Sequence, residues 1–439
     1  MKTLVLFYLA ESNMKKVLII ILVVVIILIG SIYLSVSGTQ KNFETCYISN
    51  FEELQRTNFR NHDSVLIAPS TLYTSNFLKD LVQGSNYRDA WSEKVKFPIV
   101  FLDTLYGGME IIKEGGGKQT HSLKIRAKND IIYTLRSVTK DPGKLIPEIA
   151  EDLGLENIIV DGISAQHPYA AILAAELAQE LDILHTHPRM VFIPKQDVLG
   201  DFNEKFGNRL FLLEYETESK TNWTSLKNVS VIIETKDLQK LKFETKTKIS
   251  VDQEALIKVR LFDLLIGDWD RHAEQWGWVI QKSNEGNKAI PIAGDRDNAF
   301  FNISGLIPSI ITNKNIEPLV RPFEKEIDHM PGLVYPFDRY FLFNTSEEMF
   351  IARAGELQKS LSDEKIAKAF EVWPEKIRKL NEKEITEKLK SRRNKLHEYA
   401  AQFFQQMQEQ GKLSDALKGS EDLELSSSQL ACFDCDLEN

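Results

Sequence analysis

The stretch Gly267-Asp268-Trp269-Asp270-Arg271-His272-Ala273-Glu274-Gln275-Trp276, followed by Gly294-Asp295-Arg296-Asp297-Asn298-Ala299-Phe300, sets an Asp-Arg-His loop and a second acidic cluster on either side of one hairpin. Trp276 to Ile280 alternates in polarity, Ser283-Asn284-Glu285-Gly286-Asn287 is turn-forming, and Ala289 to Ala293 returns. Antiparallel pairing would then bring both clusters to the same end, so that the carboxylates of Asp270 and Asp297 meet. Four carboxylates so close repel one another unless a cation, a basic side chain or a proton compensates them. Counting Arg271 and Arg296 against Asp268, Asp270, Asp295 and Asp297 leaves excess negative charge, which points to a site for metal ions.

Working outward, Val251 to Ile266 predicts a helix that delivers the Asp-Arg-His loop, capped by Asp252 or Ser250. Pro168 to Leu181 predicts another, with Ser164 as candidate cap and Glu176 bordering its apolar stripe. Phe97 to Thr104 reads as a buried strand, and Phe206 to Glu216 as a second. Between them, Gly115-Gly116-Gly117 opens a hairpin made of His121–Arg126 and Ile131–Val138, with Lys128-Asn129-Asp130 as its turn. Glycines ahead of a strand let backbone N–H groups approach a phosphate closely, although a plain turn has the same composition. A polar, lysine-rich segment runs on to about Lys246, and Ser346 to about Gln410 is helical throughout.

The chain has 439 residues, 43% hydrophobic and 27% charged, which is ordinary globular composition. Its net charge of -9 argues against nucleic acid as a partner, since a phosphate backbone is held by an excess of clustered Lys and Arg. The basic run Lys388, Lys390, Arg392, Arg393 and Lys395 follows Glu382, Glu384 and Glu387 at helical spacing and reads as a solvated helix face. Cys46, Cys432 and Cys435 make no disulfide framework, and Cys432-Phe433-Asp434-Cys435 reads as an incidental pair in a polar tail.

Val17 to Val36 is a nearly unbroken apolar run, long enough to cross a bilayer as a helix. Lys15 and Lys16 precede it, so the positive-inside rule places the bulk of the chain outside the cytoplasm, in the periplasm. The run exceeds the usual length of a signal-peptide core, which favours an uncleaved anchor over a cleaved signal.

The motifs SNYRDAW (85 to 91), GGGKQTHSL (115 to 123), YTLRSVTKDP (133 to 142), ISAQHPYAA (163 to 171), LFDLLIGDWDRHAEQW (261 to 276) and PIAGDRDNAFF (291 to 301) resemble an uncharacterised bacterial envelope family. That family in turn resembles the atypical protein kinase-like fold of HipA-like kinases, Golgi secretory-pathway kinases, CotH-like kinases and type II phosphatidylinositol kinases. The resemblance implies an α+β, two-lobed protein kinase-like fold with an N-terminal transmembrane helix. Its parts would be a cytoplasmic N-terminus (1–16), an anchor (17–36), a linker (37–60), an N-lobe (61–216), a C-lobe (217–418) and a polar tail (419–439). It implies ATP with Mg²⁺ or Mn²⁺ as cofactors and an unknown hydroxyl-bearing substrate, with the lipid bilayer as partner through 17–36.

Carried over by residue, the resemblance makes Asp270 the catalytic base, braced by Arg271 and His272, and Asp297 the metal ligand, with Asp295 as its rival. HipA-like kinases place Asn five residues after the base, where this chain has Gln275. Gly115, Gly116 and Gly117 would cover the phosphates. Arg136, Lys140 and Lys124 are alternatives for the phosphate-binding cation, and Glu176 would pair with whichever is used. Two other functional classes fit the same residues: a non-catalytic envelope ligand-binding or scaffold module, and a metal-dependent phosphoesterase.

Overall fold

The computed structural model describes residues 2–38, 57–117, 119–245, 247–284 and 286–435. Most of the 37–60 linker, including Cys46, lies outside the described residues, as do Lys118 of the glycine motif and Glu285 of the hairpin turn. Among the described residues the fold is mixed α/β, with an apolar N-terminal helix, three sheets and a helical carboxyl-terminal part.

Strands β1 (Ser64–Ile67) and β2 (Val95–Pro98) pair as a small antiparallel ribbon. The expected strand over Phe97 to Thr104 is therefore shortened and shifted, with Pro98 at its end. Proline has no N–H for the ladder, and the chain beyond it leaves the ribbon, Val100 N–H donating to Phe192 O (2.9 Å).

The five-stranded sheet runs β3 (Met109–Gly115), β4 (Ser122–Ala127), β5 (Ile132–Ser137), β7 (Arg209–Tyr215) and β6 (Arg189–Ile193), antiparallel throughout. Side chains alternate across a strand, so β7 serves two cores at once. Leu210 and Leu212 join the large helical core, while Phe211 and Leu213 pack with Leu123, Ile125 and Leu135 on the other face. The β4–β5 turn falls on Lys128-Asn129-Asp130 as expected, with Asp130 at φ 63°.

The second sheet runs β8 (Val229–Glu234), β10 (Trp276–Ser283), β11 (Gly286–Ala293) and β9 (Ile249–Val251), with β9 parallel to β11. Inside the lysine-rich segment, β8 and a helix over Thr235–Phe243 went unseen in the sequence. Burial along β8 is weak because it is an edge strand, so little apolar pattern was available to read.

Among the helices used below are α1 (Lys2–Val36), α2 (Phe77–Gln83), α3 (Glu148–Asp152), α4 (Glu156–Gly162), α5 (Ala170–Gln179), α6 (Gln253–Ile266), α7 (Leu306–Ile311) and α8 (Glu375–Asn394). Within α1, the 24 residues Asn13–Val36 are apolar and long enough to cross a membrane. Asp252 caps α6, accepting from Ala255 N–H (3.1 Å). Ser164 does not cap α5: it lies in the preceding turn and accepts from Asn86 Nδ2 (2.9 Å).

Two further readings are corrected. Lys388 and Arg392 of α8 are buried, Arg392 donating to the carbonyls of Leu264, Glu324 and Pro322, so the basic run is partly an internal clamp. Cys432 and Cys435 form a disulfide, and Phe433 between them is buried against Tyr340, Phe341 and Phe243. An aromatic anchor, together with Lys242 bonded to Phe433 O and Asp434 (2.8 Å to the latter), fastens what read as a loose tail.

Candidate active site

Pairing of Trp276 with Ala293 and a bond from Gly294 N–H to Gln275 O (3.0 Å) bring the two acidic loops side by side at the open end of the β10–β11 hairpin. Helix α6 ends at Gly267 in the left-handed conformation and turns directly into the first loop. Asp270, Gln275, Asp295, Asp297 and Asn298 line one cleft of about 1060 Å³. Across it stand Lys124 of β4, Arg136 of β5, Lys140 from the loop after β5, and Gly116 and Gly117 beyond the end of β3.

Behind the cleft lies a buried charge network built on Asp263 of α6. Its carboxylate accepts from Arg260 (3.0 Å) and Arg296 (3.2 Å) and pairs with Arg271 (3.2 Å). Arg260 also pairs with Asp338 (2.6 Å), and Arg271 reaches Asp268 (3.5 Å) and Gly294 O (2.9 Å). Three guanidiniums thus face three buried carboxylates, Asp263, Asp268 and Asp338. Arg271 thus ties its own loop, through Asp268, to the second loop, through Gly294 O.

In front, Asp295 pairs with Arg136 and Asp297 with Lys140. The charge count read from the sequence is therefore corrected: it left out cations supplied from β5 and the loop after it, more than 150 residues away. Asp270 is the more loosely engaged carboxylate of the cleft. Among the described residues it forms no ion pair with Lys or Arg, and His272 Nε2 stands 3.7 Å from it. That histidine is pushed below its usual pKa by burial, which outweighs the pull of Asp270, with Lys418 adding to the lowering. Lys418 Nζ lies 2.8 Å from His272 Nε2, a contact that fits a neutral ring accepting there.

Asp295 and Asp297 titrate as a pair. Burial, against the opposing Arg136 and with Asp297 beside it, pushes Asp295 up to about 7. Burial would also raise Asp297, but Lys140, the hydrogen bond with Asp295 and Arg136 together hold it well below the carboxylate range. One proton is then shared between two carboxyl groups near neutral pH.

The three cations expected to compete for phosphate take distinct partners. Arg136 bonds Glu214 (3.0 Å), Lys140 bonds Thr120 (3.1 Å) besides Asp297, and Lys124 stands near Glu216 (3.3 Å), Glu218 (3.7 Å) and Glu234 (3.9 Å). Glu176 pairs with none of them, a correction to the expected ion pair. It lines a separate cleft with His185, His187, Tyr215 and Trp223, and the carboxylate that pairs with Arg136 from β7 is Glu214. Helical spacing showed where Glu176 lies around α5, but not which neighbour it faces.

Gly116 and Gly117 stand at the cleft wall. Gly116 has φ 127°, and a Cβ there would come within 2.1 Å of Thr120 O, so only glycine fits. Sequence reading missed Gln166, which donates to Asn298 Oδ1 (2.9 Å) and keeps its own buried oxygen without a partner in the described structure. It also missed Lys418, for which 146 residues of separation from His272 leave no local signal. Trp269 lines the cleft with its buried indole N–H likewise unpartnered.

Among the described residues, no three His, Cys, Asp or Glu side chains converge as a self-sufficient metal cage. Mg²⁺ is commonly held by one or two carboxylates plus substrate phosphates, and Asp295 with Asp297 supplies that donor set. The residues therefore fit a metal that arrives with a phosphate ligand.

No protein-family model matches the chain, and no curated protein matches it. Among solved structures, the chain is similar to a Helicobacter pylori proinflammatory kinase, CtkA, at 13% identity and TM-score 0.33, over 67% of this chain and 95% of that one. It is also similar to HipA in a Shewanella oneidensis toxin–antitoxin complex with HipB and operator DNA, at 12% identity and TM-score 0.34, over 67% of each chain. Likeness at that level carries no weight for function, which rests on the cleft itself.

Proposed function

We propose that this chain is a membrane-anchored, kinase-like phosphotransferase in which a two-lobed arrangement closes the cleft around a metal–nucleotide complex. One observation carries the reading: a carboxylate without a Lys or Arg partner among the described residues, Asp270, shares a cleft with two carboxylate–cation pairs and the glycine segment. Phosphoryl transfer asks for those parts and little else, because it is driven by positioning and charge stabilisation.

Asp297 and Asp295 would hold Mg²⁺ or Mn²⁺, with the amide of Gln275 or Asn298 nearby; the ion would neutralise charge on the phosphates. Lys140 and Arg136 would exchange their carboxylate partners for phosphate oxygens, Arg136 as a planar fork and Lys140 as a point charge. The Gly115–Gly117 segment would cover the phosphates through backbone N–H groups. Asp270 would then orient an acceptor hydroxyl. Its oxygen bonds to the γ-phosphorus, the bond to the bridging oxygen breaks with its electron pair leaving on the nucleoside diphosphate, and the proton passes to Asp270.

The Cys432–Cys435 disulfide supports the extracytoplasmic placement expected from Lys15 and Lys16, since disulfides persist in oxidising compartments. A silent ligand-binding module is the second reading, favoured by Lys140 and Arg136 already being satisfied by carboxylates. Thermal unfolding of the full chain with ATP or ADP and Mg²⁺ or Mn²⁺ separates the two. A metal-dependent rise in Tm that Asp297→Ala abolishes is expected for the phosphotransferase, and no shift with any nucleotide overturns it.

A further inference from the structure

The anchor helix does not simply precede the domain; its last turn is built into it. Ser35 is buried and accepts from Gln83 Nε2 of α2 (3.0 Å), and Tyr33 Oη donates to Leu153 O just after α3 (2.7 Å). At 1.5 Å per residue, the apolar run Val17–Val36 is about 30 Å long, the thickness of a hydrocarbon core that begins beyond Lys15 and Lys16. Tyr33 to Val36 therefore sits at the bilayer boundary, and so does whatever touches it.

What touches it is unusually apolar on its outer side. Phe77 and Leu81 of α2 are 84% and 61% exposed, Ile149 of α3 is 69% exposed, and Ile310 of α7 is 54% exposed. Helix α7 is held directly against α2. Gly84 and Gly305 both have φ 90°, and a Cβ on Gly84 would meet Ser304 O at 2.2 Å while one on Gly305 would meet Gly84 N at 2.2 Å. Asn86 Oδ1 accepts from Ser304 N–H (3.1 Å) across the same joint. These exposed side chains stand on elements that pack in series onto the end of α1, and large apolar patches on soluble surfaces are otherwise rare.

Helix α7, together with α4, also lines the cleft. Ile311 of α7 is half exposed and also faces the cleft, where Ile158, Ile163, Ile303 and Pro308 join it. The cleft is thus charged around Asp270 and Asp297 and aliphatic along α4 and α7.

We infer that the domain lies on its own membrane through α2, α3 and α7, and that the cleft takes a membrane lipid, headgroup toward Asp270 and proximal chain along the α4–α7 wall. The occupant is the bilayer because the elements that carry these side chains pack in series onto the anchor helix itself. That the lipid is the phosphoryl acceptor rests on the phosphotransferase reading; the docking does not.

The test uses the full chain with Cys46→Ser in nanodiscs of phosphatidylethanolamine and phosphatidylglycerol, labelled with a fluorophore at Phe77→Cys, Ile310→Cys or, as control, Val372→Cys, whose turn packs against α5. Lipids carrying a quencher near the headgroup should quench positions 77 and 310 at least about threefold more than 372; equal quenching at all three overturns the docking. The chain in nanodiscs is then given Mg²⁺ and ATP labelled at the γ-phosphate. Label in the lipid extract that Ile311→Asp removes, with the ATP-dependent Tm shift kept, supports the lipid acceptor. Label only in water-soluble products overturns the lipid acceptor and leaves phosphotransfer standing. Absence of both label and Tm shift sinks the phosphotransferase reading, and with it the acceptor claim, while the quenching result still decides the docking.

Discussion

Lys140, from the loop after β5, is hydrogen-bonded to Asp297, from the loop after β11, across 157 residues of sequence. Both side chains are largely buried, so neither can be removed without exposing the other's charge to a poorly hydrated surrounding. Lys140→Met should therefore cost about 3 to 5 kcal/mol in urea unfolding, and adding Asp297→Asn should recover most of it. A double variant no more stable than Lys140→Met alone would mean the pair contributes nothing as a pair.

The network behind the cleft makes a harsher demand. Asp263→Asn leaves Arg260, Arg271 and Arg296 converging on a neutral amide, and a loss of at least about 3 kcal/mol is expected. Nucleotide-induced stabilisation should weaken along with it, because Arg271 also holds Gly294 O beside Asp295. An unfolding midpoint equal to wild type would show that the hub is dispensable.

Asp295 gives the site a pH signature. Its folded pKa of about 7 lies above the unfolded carboxylate value, so the folded chain binds the extra proton across that interval. The contribution is full below the unfolded value and is lost as pH rises through about 7, with a slope of at most about 1.4 kcal/mol per unit. Relative to wild type, Asp295→Asn should lack this decline between about pH 4 and 7 in a series of melting curves. Parallel curves for the two proteins would remove the assignment.

Asp270→Asn should separate binding from transfer. Its carboxylate has no Lys or Arg partner among the described residues, so the substitution leaves no orphaned cation and should change stability little. Nucleotide-dependent Tm shifts should persist while phosphoryl transfer falls at least about 100-fold. A variant that still transfers at the wild-type rate would move the base elsewhere in the cleft.

Which features could be read from residues alone follows from how far each signal reaches. The β10–β11 hairpin, the β4–β5 turn and the Asp252 cap are written in neighbours a few positions apart, and each is where the pattern placed it. The partners of the cleft's cations are not local: Arg136 finds Glu214 78 residues on, and Lys140 finds Asp297 further still. Helical periodicity could show that Glu176 borders an apolar stripe, yet the facing element is chosen by the packing of β7. Polar composition hid β8 and the Thr235–Phe243 helix, and it hid the buried role of Arg392. The tail misled for a related reason, since a single aromatic, Phe433, carries the burial that fastens it.

In the hairpin, the spacing between the two acidic loops is maintained by the ladder from Trp276↔Ala293 to Ser283↔Gly286, not by the covalent turn that closes it. The turn is exposed at Ser283 and Asn284 and lies at the end remote from the acidic loops. It is thus a splice point: a reporter domain inserted at Asn284 would ride on the ladder and register strand separation, while the two halves of the cleft kept their alignment.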